Sequence, residues 1–154
     1  MDVPAKEFIF GSIFLLANRL QALGDSVLEE ITLKQWFLLV MIHNMDQEQP
    51  SATEIAEFIG STRQNVRKML DALAARGYVT LTPSRQDRRS LCVGLTEQTR
   101  RFFAESDARG DAFLAELFSG VDDRLLQSTR QTFELLFTNM ERMTQEYGKN
   151  GSHL

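Results

Sequence analysis

The chain has the composition of a globular domain. Of its 154 residues, 43% are hydrophobic and 25% are charged. It contains no run of about 18 to 20 apolar residues such as a membrane span requires, and its N-terminus lacks a basic signal region, so we expect a soluble, cytoplasmic protein. A single cysteine cannot form an internal disulfide. Two distant histidines without a cysteine cluster give no structural zinc pattern, so we expect neither metal nor cofactor.

The overall charge conceals a basic segment. The chain carries a net charge of −4, yet residues 51–95 hold seven Lys/Arg and four Asp/Glu, which makes this segment +3 and the remainder −7. Because phosphate is bound by a local basic surface, this segment is the candidate for contact with nucleic acid.

Two helices are predicted in the first third of the chain. Apolar residues spaced three and four apart predict an amphipathic helix over residues 5–23, which Gly24 is expected to end. A second helix is predicted to begin at Thr32, which can form a capping box with Gln35. Its body, residues 36–42, is apolar on all sides, so we expect it to be buried.

The next segment predicts a helix-turn-helix. Capping boxes pair Ser51 with Glu54 and Ser61 with Gln64, and Gly60 supplies the turn between the two short helices. Apolar side chains at helical spacing are expected to face inward. They are Ile55, Ala56, Phe58 and Ile59 in the first helix, and Val66, Met69, Leu70 and Leu73 in the second.

A hairpin and two long helices are predicted to follow. Gly77 should end the second helix of the motif, and residues 78–81 and 91–95 have the β-branched, apolar character of strands. Thr96 should cap a helix that runs to Phe118, and a last helix should run from about Asp122 to Tyr147. We expect residues 148–154 to be a disordered tail.

The predicted fold is mostly α with a small β-hairpin wing, in a single domain over residues 1–154. A winged helix-turn-helix lobe should occupy about 31–97, and dimerisation helices about 5–24 and 119–147. Nine of the eleven phenylalanines lie in the N- and C-terminal helices. Such aromatic faces are buried economically against a second copy, which predicts a homodimer. The alternative is a monomer in which these helices pack on the lobe.

This order of elements predicts recognition of double-stranded DNA. The first turns of a recognition helix reach base edges in the major groove with short polar and forked side chains. That set is Ser61, Thr62, Arg63, Gln64, Asn65, Arg67 and Lys68. In the wing, Arg85, Arg88 and Arg89 are expected to contact the minor groove or backbone, with Asp87 orienting a neighbouring arginine. The alternative for the wing is a solvated basic loop.

These segments resemble the MarR family of winged-helix regulators. The similar stretches are residues 32–36, 54–56, 66–73, 87–89 and 95–97. The resemblance implies a dimeric repressor or activator that often releases DNA when a small, commonly aromatic molecule binds. Two positions depart from the family pattern: Ala72 stands where a basic residue is frequent, and Pro50 where a short strand is usual.

Three aromatic residues are candidates for an effector pocket: Phe14, Trp36 and His43. His43 could hydrogen-bond an acidic ligand, although such a histidine more often bonds a backbone carbonyl, and aromatics at helical spacing are usually core. Cys92 lies in a predicted strand, where a buried inert thiol is expected in preference to a redox switch.

Other functions find less support in the sequence. No phosphate loop, nucleophile elbow or pair of catalytic carboxylates with a histidine appears, so we expect no enzyme. A winged helix can also serve as a protein–protein interaction module, but that function favours apolar residues where this chain has Arg63, Gln64 and Asn65. A small-molecule carrier would leave the wing arginines unexplained. A two-fold dimer predicts a near-palindromic operator with half-sites about 10 bp apart.

Overall fold

The computed structural model describes residues 3–84 and 90–150, with side chains up to residue 147. Within these residues, the elements follow one another in the order α1 (Ala5–Val27), α2 (Leu33–Asn44), α3 (Ala52–Ile59), α4 (Arg63–Ala75), β1 (Val79–Pro83), β2 (Leu91–Leu95), α5 (Glu97–Leu117) and α6 (Asp123–Asn150). The predicted class, mostly helical with one two-stranded hairpin, is confirmed.

The chain divides into two compact units, the first ending at Glu105 and the second beginning at Ser106. The first unit contains α1 to β2 and the beginning of α5. One apolar cluster forms its core: Ile31, Leu38, Leu39, Ile42, Ile55, Ala56, Val66, Leu70, Leu73, Tyr78, Val79, Val93 and Phe102. The inward-facing stripe predicted for the second helix of the motif is therefore largely correct.

The wing is an antiparallel pair of strands whose register runs from Val79 opposite Leu95 to Pro83 opposite Leu91. A third segment supports it, since the Val93 N–H donates to the Pro50 carbonyl at 2.9 Å and Ser51 forms an isolated bridge with Cys92. Where the family pattern has a short strand before α3, the described residues therefore form a single β-bridge. Cys92 is half-buried beside it.

Helix α1 is longer than its sequence pattern predicts. Gly24 does not end the helix but lies buried inside it, and the helix continues to Val27. The reason is packing: a β-carbon at Gly24 would lie 2.9 Å from the Leu33 Cβ. The glycine is therefore required by the close approach of the chain entering α2 and has no role as a helix stop.

Two aromatic side chains expected in the core are exposed. Phe37 on α2 is 48% exposed and Phe58 on α3 is 55% exposed. Helix α2 thus buries Leu38, Leu39 and Ile42 along one side only. An apolar sequence predicts burial, but here part of that surface is not covered by the residues that the structure describes.

The second unit contains the remainder of α5 and helix α6. Asp122 caps α6 by accepting a hydrogen bond from the Leu125 N–H at 2.8 Å. The helix continues to Asn150, so the expectation of a disordered tail from residue 148 is wrong for residues 148–150. None of residues 106–147 is buried. This pair of helices therefore does not enclose a core of its own.

Candidate nucleic-acid interface

The turn between α3 and α4 decides where the recognition helix begins. Gly60 has a φ of 65°, and its N–H donates to the Glu57 carbonyl at 3.3 Å. The Ser61 N–H donates back to the Ala56 carbonyl at 2.9 Å. This pair of bonds is a Schellman motif, in which a left-handed glycine closes the preceding helix.

Because Ser61 completes the end of α3, the next helix is capped one residue later than predicted. The Thr62 hydroxyl accepts from the Asn65 N–H at 3.2 Å, and α4 begins at Arg63. The predicted capping box of Ser61 with Gln64 is therefore wrong. Ser61 itself is half-buried in the turn.

Helix α4 separates its apolar and polar side chains cleanly. Val66, Leu70 and Leu73 are buried. The other predicted recognition residues are exposed: Thr62, Arg63, Gln64, Asn65, Arg67 and Lys68. The first turns of α4 therefore present donors, acceptors and three positive charges to one side of the first unit.

One of these cations has a partner that the sequence analysis did not identify. The Arg67 Nε donates to Asp71 Oδ1 at 2.8 Å, and both side chains are about half exposed, at 51% and 52%. The signal was available, because residues four apart on a helix face each other and the pair has opposite charge. The ion pair thus holds the Arg67 side chain through its Nε.

Helix α4 and the base of the wing line a common cleft of about 200 Å³. Arg63, Gln64 and Arg67 line one side. The remaining lining residues come from the first turn of α3 and the start of β2: Ala52, Thr53, Ser90 and Leu91. The structure therefore brings three of the seven predicted recognition residues together with the start of β2.

The four predicted wing residues, Arg85, Asp87, Arg88 and Arg89, lie outside the described residues. Their flanks are described: the Ser84 N–H donates to the Ser90 carbonyl at 2.8 Å, which extends the hairpin pairing beyond β1 and β2. Of these two serines, Ser90 lines the cleft.

The first turn of α3 contributes a fixed negative charge. The Ser51 N–H donates to Glu54 Oε2 at 2.7 Å, and the Ser51 hydroxyl accepts from the Glu54 N–H at 3.2 Å. This predicted capping box is confirmed. The Ser51 backbone amide, and then its hydroxyl, hold the pKa of Glu54 below its ordinary value.

The three pocket candidates each have a separate environment. Phe14 is 59% exposed and meets Phe10 edge-on at 5.3 Å between ring centroids. His43 is exposed, with its ring centroid 5.6 Å from that of Phe103, whereas Trp36 packs against the core cluster. None of the three lines the cleft beside α4.

Among residues 3–84 and 90–150, no helix combines the length and hydropathy of a membrane span. In the same part of the chain, no group of three or more His, Cys, Asp or Glu is arranged to hold a metal ion.

Comparison with known proteins connects this geometry to a family. A sequence model of the MarR family matches residues 30–90. The chain is 29% identical over 136 residues to the transcriptional repressor MprA of Escherichia coli K12, across 86% of this chain and 73% of that repressor. It is 29% identical to the E. coli regulator PapX over 86 residues, which is about half of that protein's length, 52%.

Solved structures share the fold. The chain is similar to a MarR regulator from Methanosarcina mazei Go1, with a TM-score of 0.79 at 22% identity, over 89% of this chain and 99% of that one. It is also similar to Staphylococcus aureus MepR in a DNA complex, with a TM-score of 0.76 at 17% identity, over 90% and 99% of the chains. The chain is therefore similar to the MarR family of transcriptional regulators, in sequence over residues 30–90 and in fold over most of its length.

Proposed function

We propose that this protein is a homodimeric regulator that binds double-stranded DNA through α4 and the wing. The observation that carries the proposal is the exposed polar and basic face of α4, opposite its buried apolar face and beside the wing. An α-helix fits the major groove, and its N-terminal residues reach the base edges.

Each exposed residue of α4 suits a distinct contact. Arg63 is placed to grip guanine O6 and N7, and Gln64 or Asn65 to pair with adenine, since these side chains match those base edges in pairs of hydrogen bonds. Lys68 suits a phosphate, which requires charge but no defined geometry. The partial positive charge at the α4 N-terminus adds to the attraction.

The wing supplies the second contact in this proposal. In the sequence, Arg85, Arg88 and Arg89 lie between β1 and β2, with Asp87 among them, and the start of β2 lines the cleft. Arginines at this position suit a narrow minor groove or the flanking backbone. An aspartate pairing with one of them would fix its direction.

Exposed apolar surface supports the dimer. Apart from Gly24, no residue of α1 is buried, and Phe8, Phe10 and Leu15 are each at least 60% exposed. The second unit buries none of residues 106–147 and exposes Phe137 and Leu135 by about two thirds, 64% and 66%. Monomeric proteins rarely leave patches of this kind uncovered. A second copy related by a two-fold axis covers them in both chains at once.

Further parts of the proposal follow from the family and the sequence. The chain acts as a single domain in the cytoplasm, without catalytic activity, on a near-palindromic operator. Repression is favoured because the relative MprA is named a repressor. A small aromatic or acidic effector, contacted by Phe14, Trp36 or His43, would modulate the binding.

The alternative is a winged-helix protein-interaction module without specific DNA binding. The exposed phenylalanines Phe37 and Phe58 on the first unit are the observation in its favour. The α4 face argues against it, because an interface core is depleted of charged residues.

Selection of bound duplexes from a random library tests the proposal. We expect enrichment of a near-palindrome with half-sites about 10 bp apart. Gln64→Ala should relax base preference at one position of each half-site. Lys68→Ala should weaken all duplexes equally and lower the salt slope of binding by about one per copy.

Lys34→Ala is the matched control, because it removes the same charge from the exposed start of α2. It should leave affinity and salt slope as in the wild type. Failure of the wild-type protein to enrich any duplex would favour the interaction module instead.

A further inference from the structure

The first turn of α5 is hydrogen-bonded to the junction between α4 and β1. The Thr96 hydroxyl donates to the Gly77 carbonyl at 2.7 Å, and the Thr96 N–H donates to the Tyr78 carbonyl at 3.2 Å. The Gln98 side-chain amide donates to the Arg76 carbonyl at 3.1 Å, and the Thr99 hydroxyl to the Tyr78 carbonyl at 2.5 Å. Thr96, Gln98 and Thr99 thus form a junction clamp on three consecutive carbonyls.

The clamp is buried at its centre. Thr99 is fully buried among the described residues, and Tyr78 is 1% exposed. The Tyr78 ring packs edge-on against Phe102 of α5 at 5.6 Å between centroids, and its hydroxyl donates to Glu30. Hydrogen bonds require direction as well as distance, so they fix rotation where apolar contacts alone allow sliding.

The clamp connects the helix proposed to bind DNA to the helix that leads into the second unit. Helix α4, which ends at the junction, carries the residues proposed to read DNA. Helix α5 starts at the clamp and continues past Glu105 into the second unit, whose apolar helices are proposed to meet a second copy. In a two-fold dimer the distance between the two DNA-reading helices depends on how each is held to the helices that join the copies.

We propose, on the basis of the DNA-binding function above, that Thr96, Gln98 and Thr99 are positioning residues that determine which half-site spacing the dimer accepts. They contact no DNA in this proposal. They hold the end of α4 at one angle to the start of α5, and this angle sets where the second recognition helix meets the duplex.

Binding to duplexes of altered spacing tests the proposal. The probe is the duplex that the wild-type protein selects from a random library, with one base pair inserted or removed between the half-sites. Each such change rotates the half-sites by about a tenth of a turn, and we expect it to weaken wild-type binding by about tenfold.

Thr99→Val and Gln98→Ala should bind the original duplex with most of the wild-type affinity. A change of one base pair in spacing should weaken their binding by less than about threefold, compared with about tenfold for the wild type. Thr99→Ser, which keeps the hydroxyl, should restore the wild-type preference. Ile42→Val removes a methyl group from the core on α2, away from the clamp, and controls for lost stability. This variant should keep the wild-type preference for the original spacing.

The outcomes are distinct. Wild-type spacing preference in both Thr99→Val and Gln98→Ala overturns the positioning role while DNA binding stands. If Thr99→Val does not fold, Gln98→Ala decides alone, since Gln98 is exposed. A wild-type protein that selects no duplex overturns the DNA-binding function, and the positioning role with it.

Discussion

At the scale of single residues, the pairing of Arg67 with Asp71 has more to do with orientation than with stability. An exposed ion pair of this kind contributes between about 0 and 1 kcal/mol to folding, because water screens it. Yet it holds the Nε at 2.8 Å from a carboxylate, which restricts the orientation of a guanidinium that lines the cleft.

Removing that carboxylate should lower specificity without lowering affinity overall. In Asp71→Asn the arginine loses its charged partner and α4 gains one positive charge, so binding to a scrambled duplex should strengthen by about threefold to tenfold. Discrimination between operator and scrambled duplex should fall. Fluorescence anisotropy with both duplexes measures the ratio; an unchanged ratio would show that Asp71 does not orient Arg67.

The charge on Glu54 should make stability depend on pH in a defined direction. Its pKa is lowered in the folded protein from an ordinary value of 4.5, so its contribution is present above pH 4.5 and is lost as the pH falls through the lowered value. At pH 7, Glu54→Gln should destabilise the fold by about 0.5 kcal/mol, and the difference from wild type should disappear in acid.

Urea denaturation at several pH values measures this dependence. Glu57→Gln removes the same charge from the other end of α3, where the helix dipole disfavours a negative group, and should not destabilise at pH 7. A Glu54→Gln difference that stayed constant down to pH 2 would contradict the assigned role.

At the scale of elements, Gly24 shows how tertiary packing can override a local signal. A glycine that follows apolar residues at helical spacing usually marks the end of a helix. The sequence contains no sign that the Leu33 side chain will pack against Gly24. The structure shows the Leu33 Cβ and both its methyl carbons within 3 Å of the position that a β-carbon at Gly24 would take, at 2.9, 2.8 and 2.7 Å.

Gly24→Ala should therefore destabilise the protein although alanine is the better helix former. The clash requires α1 and the start of α2 to separate, which should cost about 1 to 3 kcal/mol. Gly11→Ala is the matched control on the same helix, since nothing lies within 4 Å of its added carbon. It should stabilise by about 0.5 to 1 kcal/mol. Thermal unfolding of both variants checks the contrast, and equal shifts would contradict it.

Much of the fold was predictable because its signals are local. The capping boxes at Thr32 and Ser51 involve residues three apart, and the inward stripe of α4 follows from helical periodicity alone. The capping shift at Thr62 depends on hydrogen bonds back into α3, and the exposure of Phe37 and Phe58 on what surrounds them. Of the site, the residue types on α4 were predictable, but the cleft they share with β2 was not.

At the scale of the whole molecule, the proposed dimer depends on the apolar surface that each unit leaves exposed. Phe137→Glu should convert the proposed dimer to monomers, because two-fold symmetry places the new charge in the interface twice. With about 1.5 to 3 kcal/mol of burial lost per copy, the dimer Kd should rise by at least about a hundredfold. Analytical ultracentrifugation measures the mass.

Thr138→Glu introduces the same charge at the neighbouring exposed, polar position of α6 and should remain a dimer. Operator affinity should fall with the mass in Phe137→Glu and persist in Thr138→Glu. A wild-type chain that sediments as a monomer would exclude the homodimer.

The Schellman turn at Gly60 and Ser61 fixes the rotation of α4 about its own axis, and so fixes which of its side chains face solvent. Successive helical residues are rotated by about 100°, so one residue more or less before Thr62 would carry Val66 toward solvent and a charged neighbour toward the core. The set of α4 side chains that face solvent therefore depends on the length of the turn. If α4 reads DNA as proposed, substitutions on its exposed face change which bases are contacted, whereas an insertion at the turn would rotate every side chain of the helix at once.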